Sequence, residues 1–134
     1  MTDNSDAARQ RGLFGLLGIR VVSSGIGAAE LEMEVDDKHM APNGYLHGGA
    51  IVALADSAAG AGCKSSLPEG GVSFTTIELK TNFLRTVREG VIVAHAICQH
   101  GGRTTQVWDV TVTARESDKK LAEFRCTQLI VYGN

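Results

Sequence analysis

The stretch LHGGAIVALADSAAGAGC, residues 46–63, decides how this chain folds. It is apolar or small almost throughout, yet an aspartate, Asp56, stands near its middle. A surface helix carries a single apolar stripe, whereas a helix that is apolar nearly all round belongs in the interior. The pattern therefore predicts a buried central helix from about 47 to 65. The loop DKHMAPNGYL (37–46), with Pro42, Asn43 and Gly44, leads into it, and the glycines of GGVS (70–73) break it. The segment is too short for a membrane span and is interrupted by Asp56.

Outward from the helix the signal changes to strands. AELEMEVDD (29–37) alternates, with Leu31, Met33 and Val35 on one side and Glu30, Glu32, Glu34 and Asp36 on the other. After the helix come FTTIELKTNFL (74–84), VIVAHAICQ (91–99), TTQVWDVTVTA (104–114) and LAEFRCTQLIVY (121–132). The turns between them, TVREG, HGGR and RESDKK, are short and polar or glycine-bearing. These last four strands read as an antiparallel meander. Ile77, Leu79 and Phe83 are expected on one face, and Phe83 and Trp108 in the core. One long helix among five to six strands is an α+β arrangement, a curved antiparallel sheet wrapped round the helix. Residues 7–17 suggest a short amphipathic helix, and residues 1–11 a mobile N-terminal segment.

The chain has 134 residues, which suits one domain spanning 1–134. Its formal net charge is -2, and the basic residues are scattered, so no nucleic-acid partner is expected. The polar start MTDNSDAARQRG is not a signal peptide, and no membrane association is expected. Cys63, Cys98 and Cys126 are far apart and odd in number, which points to neither a disulfide framework nor a zinc site. A reduced, cytoplasmic protein follows. His39, His47, His95 and His100 are dispersed, so no metal site is expected. No GxSxG elbow surrounds Ser57. Cys63 reads as a small packing residue.

Asp56 is the anomaly. An unpaired carboxylate in a low-dielectric interior costs several kcal/mol. Its helical neighbours Val52, Ala53, Ala59 and Gly60 are apolar and mostly small; they give it no partner but leave a slot beside it. Asp56 therefore bonds a neighbouring strand or subunit, lies at an opening, or is kept for chemistry. At the start of the same helix, HGG places the amides of Gly48 and Gly49 where a helix has unpaired donors and partial positive charge. That suits a developing oxyanion. His47 and Asp56 lie on opposite faces of one helix, roughly 13 Å apart, so they cannot serve one reacting centre within one chain. If both ends act together, the helix start comes from a second subunit, and a two-fold dimer with antiparallel helices yields two equal sites.

Three segments, NGYLHGGAIVALADSAAG (43–60), NFLRTVREG (82–90) and HGGRTTQVWDV (100–110), resemble a hotdog-fold acyl-CoA thioesterase. The acid spaced after HGG and the F-x-R-x-x-x-x-G turn carry the likeness. With aspartate as the acid, the chain is most similar to the phenylacetate-degradation (PaaI-like) group. The resemblance implies joined sheets in a homodimer, commonly paired into a homotetramer. It implies a catalytic Asp56 from one subunit and a carbonyl-polarising Gly48 amide from the other. It implies Thr76 as a water-positioning residue, and Gly49, Arg85, Arg103 and Thr104 as contacts to an acyl-CoA substrate. Many relatives have Asn or Gln six residues before the histidine; this chain has Ala41 there, and the nearest amide is Asn43. Where one branch has a threonine four residues after the acid, this chain has Gly60.

The expected reaction is hydrolysis of an aromatic or medium-sized acyl-CoA, with no cofactor, since the thiolate of CoA leaves readily. Gly48 would hold the oxyanion, Asp56 would act as general base or nucleophile, and His47 would fix the helix start. The alternatives are a hotdog hydratase or dehydratase and a non-catalytic acyl-CoA sensor.

Overall fold

Alternation along the chain builds the sheet, and the computed structural model describes residues 10–133 of it. The first nine residues, where most of the proposed N-terminal segment falls, lie outside the described part. Residues 10–11, the first described, are helical, and a short helix α1, Leu13–Leu16, follows. Strands β1, Ile19–Gly25, and β2, Ala28–Glu34, follow as an antiparallel pair. A 3-10 turn at Asp37–His39 and a loop lead to the long helix α2, Gly48–Ser65. The remaining strands are β3, Gly71–Phe83, β4, Val91–Gly101, β5, Thr105–Ala114, and β6, Lys120–Tyr132.

All six strands form one antiparallel sheet in the order β1-β2-β4-β5-β6-β3. The α+β reading holds, with one correction to the topology. Only β4, β5 and β6 form a meander; β3 skips them and pairs with β6 at the sheet edge, while β2 pairs with β4. The helix sits between β2 and β3 in sequence, so crossing it carries the chain from one side of the sheet to the other. Strand β1, IRVVSSG, shows no alternation, and only Ile19 in it is buried.

Leu31, Met33 and Val35 are buried as their alternation demands. They join Ile92, Ala94, Trp108, Val110, Val112 and Phe124 from the other strands and Leu54, Ala55, Ala58 and Cys63 from α2 in one core. Small residues on α2 let this happen. A Cβ at Gly62 would lie 2.5 Å from the Trp108 ring, so the indole rests directly on helix backbone. The indole N–H donates to Gln106 Oε1 at 2.8 Å, and Gln106 Nε2 donates to the Ser66 carbonyl at the helix end, also at 2.8 Å. Buried Gln106 therefore ties the core tryptophan to the helix C-terminus.

Phe83 is not a core residue in the single chain; it is 53% exposed. The pairing changes register between Thr76 and Glu78, which leaves Ile77 as the extra residue of a bulge. Beyond it, Leu79, Thr81 and Phe83 stand opposite Cys126, Phe124 and Ala122, all inward residues of β6, so they share the helix-facing side with Phe74 and Thr76. Ile77 leaves the face expected for it. Edge strand β3 exposes Val72, Ile77, Leu79 and Phe83. Of the amphipathic helix expected over 7–17, residues 7–9 lie outside the described part, and residues 10–11 and Leu13–Leu16 are helical; Phe14 and Leu17 pack on the core, while Leu13 and Leu16 face outward. Among the described residues, no helix is long and apolar enough to cross a membrane.

Candidate active site

Helix α2 starts on a cap made by His47. Its Nδ1 accepts the Gly49 N–H at 2.8 Å, and its backbone sits in the extended region. A ring nitrogen takes here the place of the usual Ser or Asp oxygen. Gly49 is thereby occupied, whereas the Gly48 amide makes no hydrogen bond among the described residues. Gly48 also lacks a Cβ for a steric reason: one would lie 2.9 Å from Cζ of Phe83, whose ring covers the helix start.

Two turns on, Asp56 is half-buried on the helix side that faces β3. The Thr76 hydroxyl stands 2.8 Å from Asp56 Oδ1 and 3.0 Å from Oε1 of buried Gln128. A hydroxyl has one proton, and an ionised carboxylate is the stronger acceptor. The partner that the sequence demanded for Asp56 is thus a strand hydroxyl, with the buried Gln128 side chain directly behind it. Nearby, burial and then the negative charge of Asp56 push the Cys126 thiol up to about 12. Cys63 is pushed up to about 11, chiefly by burial, which agrees with its reading as a packing thiol.

The other residues singled out in the sequence do not converge on this spot. Asn43 Oδ1 accepts the Tyr45 N–H at 3.1 Å, closing a turn in the loop before the helix. Arg85 Nη1 donates to the Lys120 carbonyl at 3.0 Å, at the end of β3 near Phe83. Arg103 and Thr104 occupy the β4–β5 turn. There the Tyr132 hydroxyl donates to the Arg103 carbonyl, and the Ile130 N–H to the Thr104 carbonyl at 2.9 Å. Leu121 meets Arg85 and Ile130 meets Thr104, so the two arginines stand at opposite ends of β6, roughly 30 Å apart. Gly48 and Asp56 are eight helical positions apart, about 12 Å along the axis. Each group thus lies too far from its counterpart to act with it inside one protomer.

Gln128 and Phe74 escaped sequence reading. Gln128 carried a signal, a polar residue at an inward register position of β6. Reading it as part of the site requires knowing that β6 lies beside β3. Phe74 sits against Gly60: a Cβ there would lie 3.1 Å from its Cζ. The slot expected beside Asp56 is therefore filled on the Gly60 side.

Known proteins share this fold and family. A family model described as the thioesterase superfamily matches residues 43–120. A 1,4-dihydroxy-2-naphthoyl-CoA hydrolase of Listeria monocytogenes is 39% identical over 116 residues, covering 87% of this chain and 93% of that protein. The crystal structure of a mutant thioesterase from Pseudomonas aeruginosa superposes with a TM-score of 0.89 at 31% identity, over 99% of this chain and 95% of the other. The Escherichia coli PaaI protein of the phenylacetic acid degradation operon superposes with a TM-score of 0.85 at 26% identity, over 98% and 93%. The chain belongs to the thioesterase superfamily, in its PaaI-like hotdog group, and is a hydrolase of thioester bonds.

Proposed function

We propose that the chain hydrolyses an aromatic or medium-sized acyl-CoA to the free acid and CoA, at sites shared between two protomers. The observation that carries the reading is the Asp56–Thr76 hydrogen bond of 2.8 Å on the helix flank beside the uncovered edge strand β3. An apolar edge of this kind suits pairing with a second copy, sheet to sheet, with the two helices antiparallel. Such a pair sets Gly48 of one protomer near Asp56 of the other. It also brings Arg85 of one towards Arg103 and Thr104 of its mate, where all three can meet the anionic arm of CoA.

In this reading the free Gly48 amide holds the carbonyl oxygen as it turns into an oxyanion, where one such donor contributes about 3–4 kcal/mol. Asp56 takes a proton from water, or attacks the carbonyl itself, and Thr76 fixes which way its carboxylate points. His47 serves by holding the helix start, and Gly49 by giving its amide to that cap. Asn43 supplies its remaining NH2 donors from the loop, since Ala41 has none to offer. We place the activity in the cytoplasm, where unpaired thiols such as Cys63 and Cys126 stay reduced.

Thiol release from benzoyl-, phenylacetyl- and octanoyl-CoA tests this. Asp56→Asn is expected to lower kcat by roughly 10²–10⁴ while secondary structure and sedimentation stay unchanged. Unchanged turnover in a folded Asp56→Asn enzyme removes the carboxylate from the mechanism.

A further inference from the structure

We infer that Phe74 is the end wall of the acyl pocket and sets how long an acyl group the enzyme accepts. This rests on the reading above, with Asp56 at the reacting carbonyl. Helix α2 and strand β3 run side by side in opposite directions and meet at three rungs. Phe83 covers Gly48, Thr76 bonds Asp56, and Phe74 packs on Gly60. The second and third rungs are one helical turn apart, about 6 Å, and two strand residues apart, about 7 Å. Phe74 is therefore the next inward side chain of β3 beyond the one that holds the carboxylate.

The fit at Gly60 is close. A Cβ there would stand 3.1 Å from Cζ and 3.2 Å from Cε2 of the ring, so the ring reaches its depth only because residue 60 has no side chain. Phe74 is half-buried. In the other direction from Asp56, Val52 is only half-buried, and the Phe83 ring lies over Gly48 at the helix start. The seam thus carries an aromatic ring at each end, Phe83 over Gly48 and Phe74 on Gly60, and is closed towards Gly60. An acyl group whose carbonyl sits at Asp56 and whose tail runs towards Gly60 meets an aromatic ring after about one helical turn. A flat aryl group stacks there or meets the ring edge-on; a long alkyl chain has nowhere to continue.

The test measures kcat/KM over straight-chain acyl-CoAs of about two to fourteen carbons, with benzoyl-CoA beside them, for the wild type, Phe74→Leu and Phe74→Ala. Removing the ring frees a depth on the order of four methylene groups. The chain-length optimum should move up by about that much in Phe74→Ala and part of the way in Phe74→Leu. Each newly buried methylene is worth up to roughly fourfold, and kcat/KM for benzoyl-CoA should fall relative to the longer-chain substrates. If Phe74→Ala fails to fold by circular dichroism, Phe74→Leu carries the same comparison, since it keeps most of the apolar volume. Identical chain-length profiles in active enzymes overturn the role of Phe74 and leave the thioesterase reading standing. A folded wild type that cleaves no acyl-CoA overturns both.

Discussion

At the scale of the residue, Asp56 shows how a carboxylate survives in an apolar helix. Nothing on its own helix satisfies it, and the demand is met across the seam by Thr76, with Gln128 behind. Thr76→Val removes the donor and leaves the half-buried Asp56 carboxylate without one. A loss of about 1–3 kcal/mol in urea denaturation is expected, together with a fall in kcat greater than any change in KM. Thr76→Ser should restore both. A valine variant that loses stability but keeps full kcat would reduce Thr76 to a structural prop. The demand for a partner was legible in the sequence because the four helical neighbours of Asp56 are apolar; the identity of Gln128 as part of the answer was not, because it lies on the strand farthest along the chain.

At the scale of the element, α2 works through what its side chains lack. Gly62→Ala drives a methyl group to within 2.5 Å of the Trp108 ring, and the indole is pinned by its bond to Gln106. Overpacking of this kind costs about 1–3 kcal/mol, seen as a lower urea midpoint with kcat retained, because Gly62 lies away from Asp56. Strands are tied from outside as well. Glu32 on β2 accepts from Arg20 on β1 at 2.6 Å and from Arg115 in the β5–β6 turn. The Arg20 hydrogen bonds, against the opposing effect of burial and helped by Arg115, hold its carboxyl below the ordinary 4.5. A carboxylate so lowered contributes stability above its unfolded pKa, and that contribution is lost as pH falls through the folded value. Stability should therefore fall more steeply below about pH 4.5 in the wild type than in Glu32→Gln, measured as urea midpoints across the acid range. Parallel acid profiles would show that the cluster adds nothing. The alternation of β2 and β5 was plain in the sequence. The bulge at Ile77 was not, since a register change depends on the partner strand, and it moved Ile77 off the face expected for it.

At the scale of the whole molecule, the site proposed to be shared between two protomers predicts complementation. Gly48 is the first residue of α2, a position that tolerates proline, and His47 already has the extended backbone that precedes one. Gly48→Pro therefore removes the amide proton at little cost to the helix, although its ring must displace Phe83. Mixed with Asp56→Asn protomers, one of the two sites in each heterodimer carries neither change. Two inactive parents should thus yield up to about half the wild-type activity per heterodimer. A mixture that stays as dead as its parents, with heterodimers present by mass spectrometry, would sink the shared site.

The sequence by itself determined the periodic parts: a central helix apolar on nearly every side, strands whose inward residues alternate, and an acid spaced from a glycine pair so that one helix cannot bring them together. Those follow from 3.6- and 2-residue repeats, which a chain carries locally. Only the tertiary structure decided that β3 lies at the edge beside β6, that Thr76 receives Asp56 with Gln128 behind it, and that Phe74 fills the space at Gly60. These depend on which distant segments become neighbours, and pairing across a sheet leaves no mark on either strand read alone.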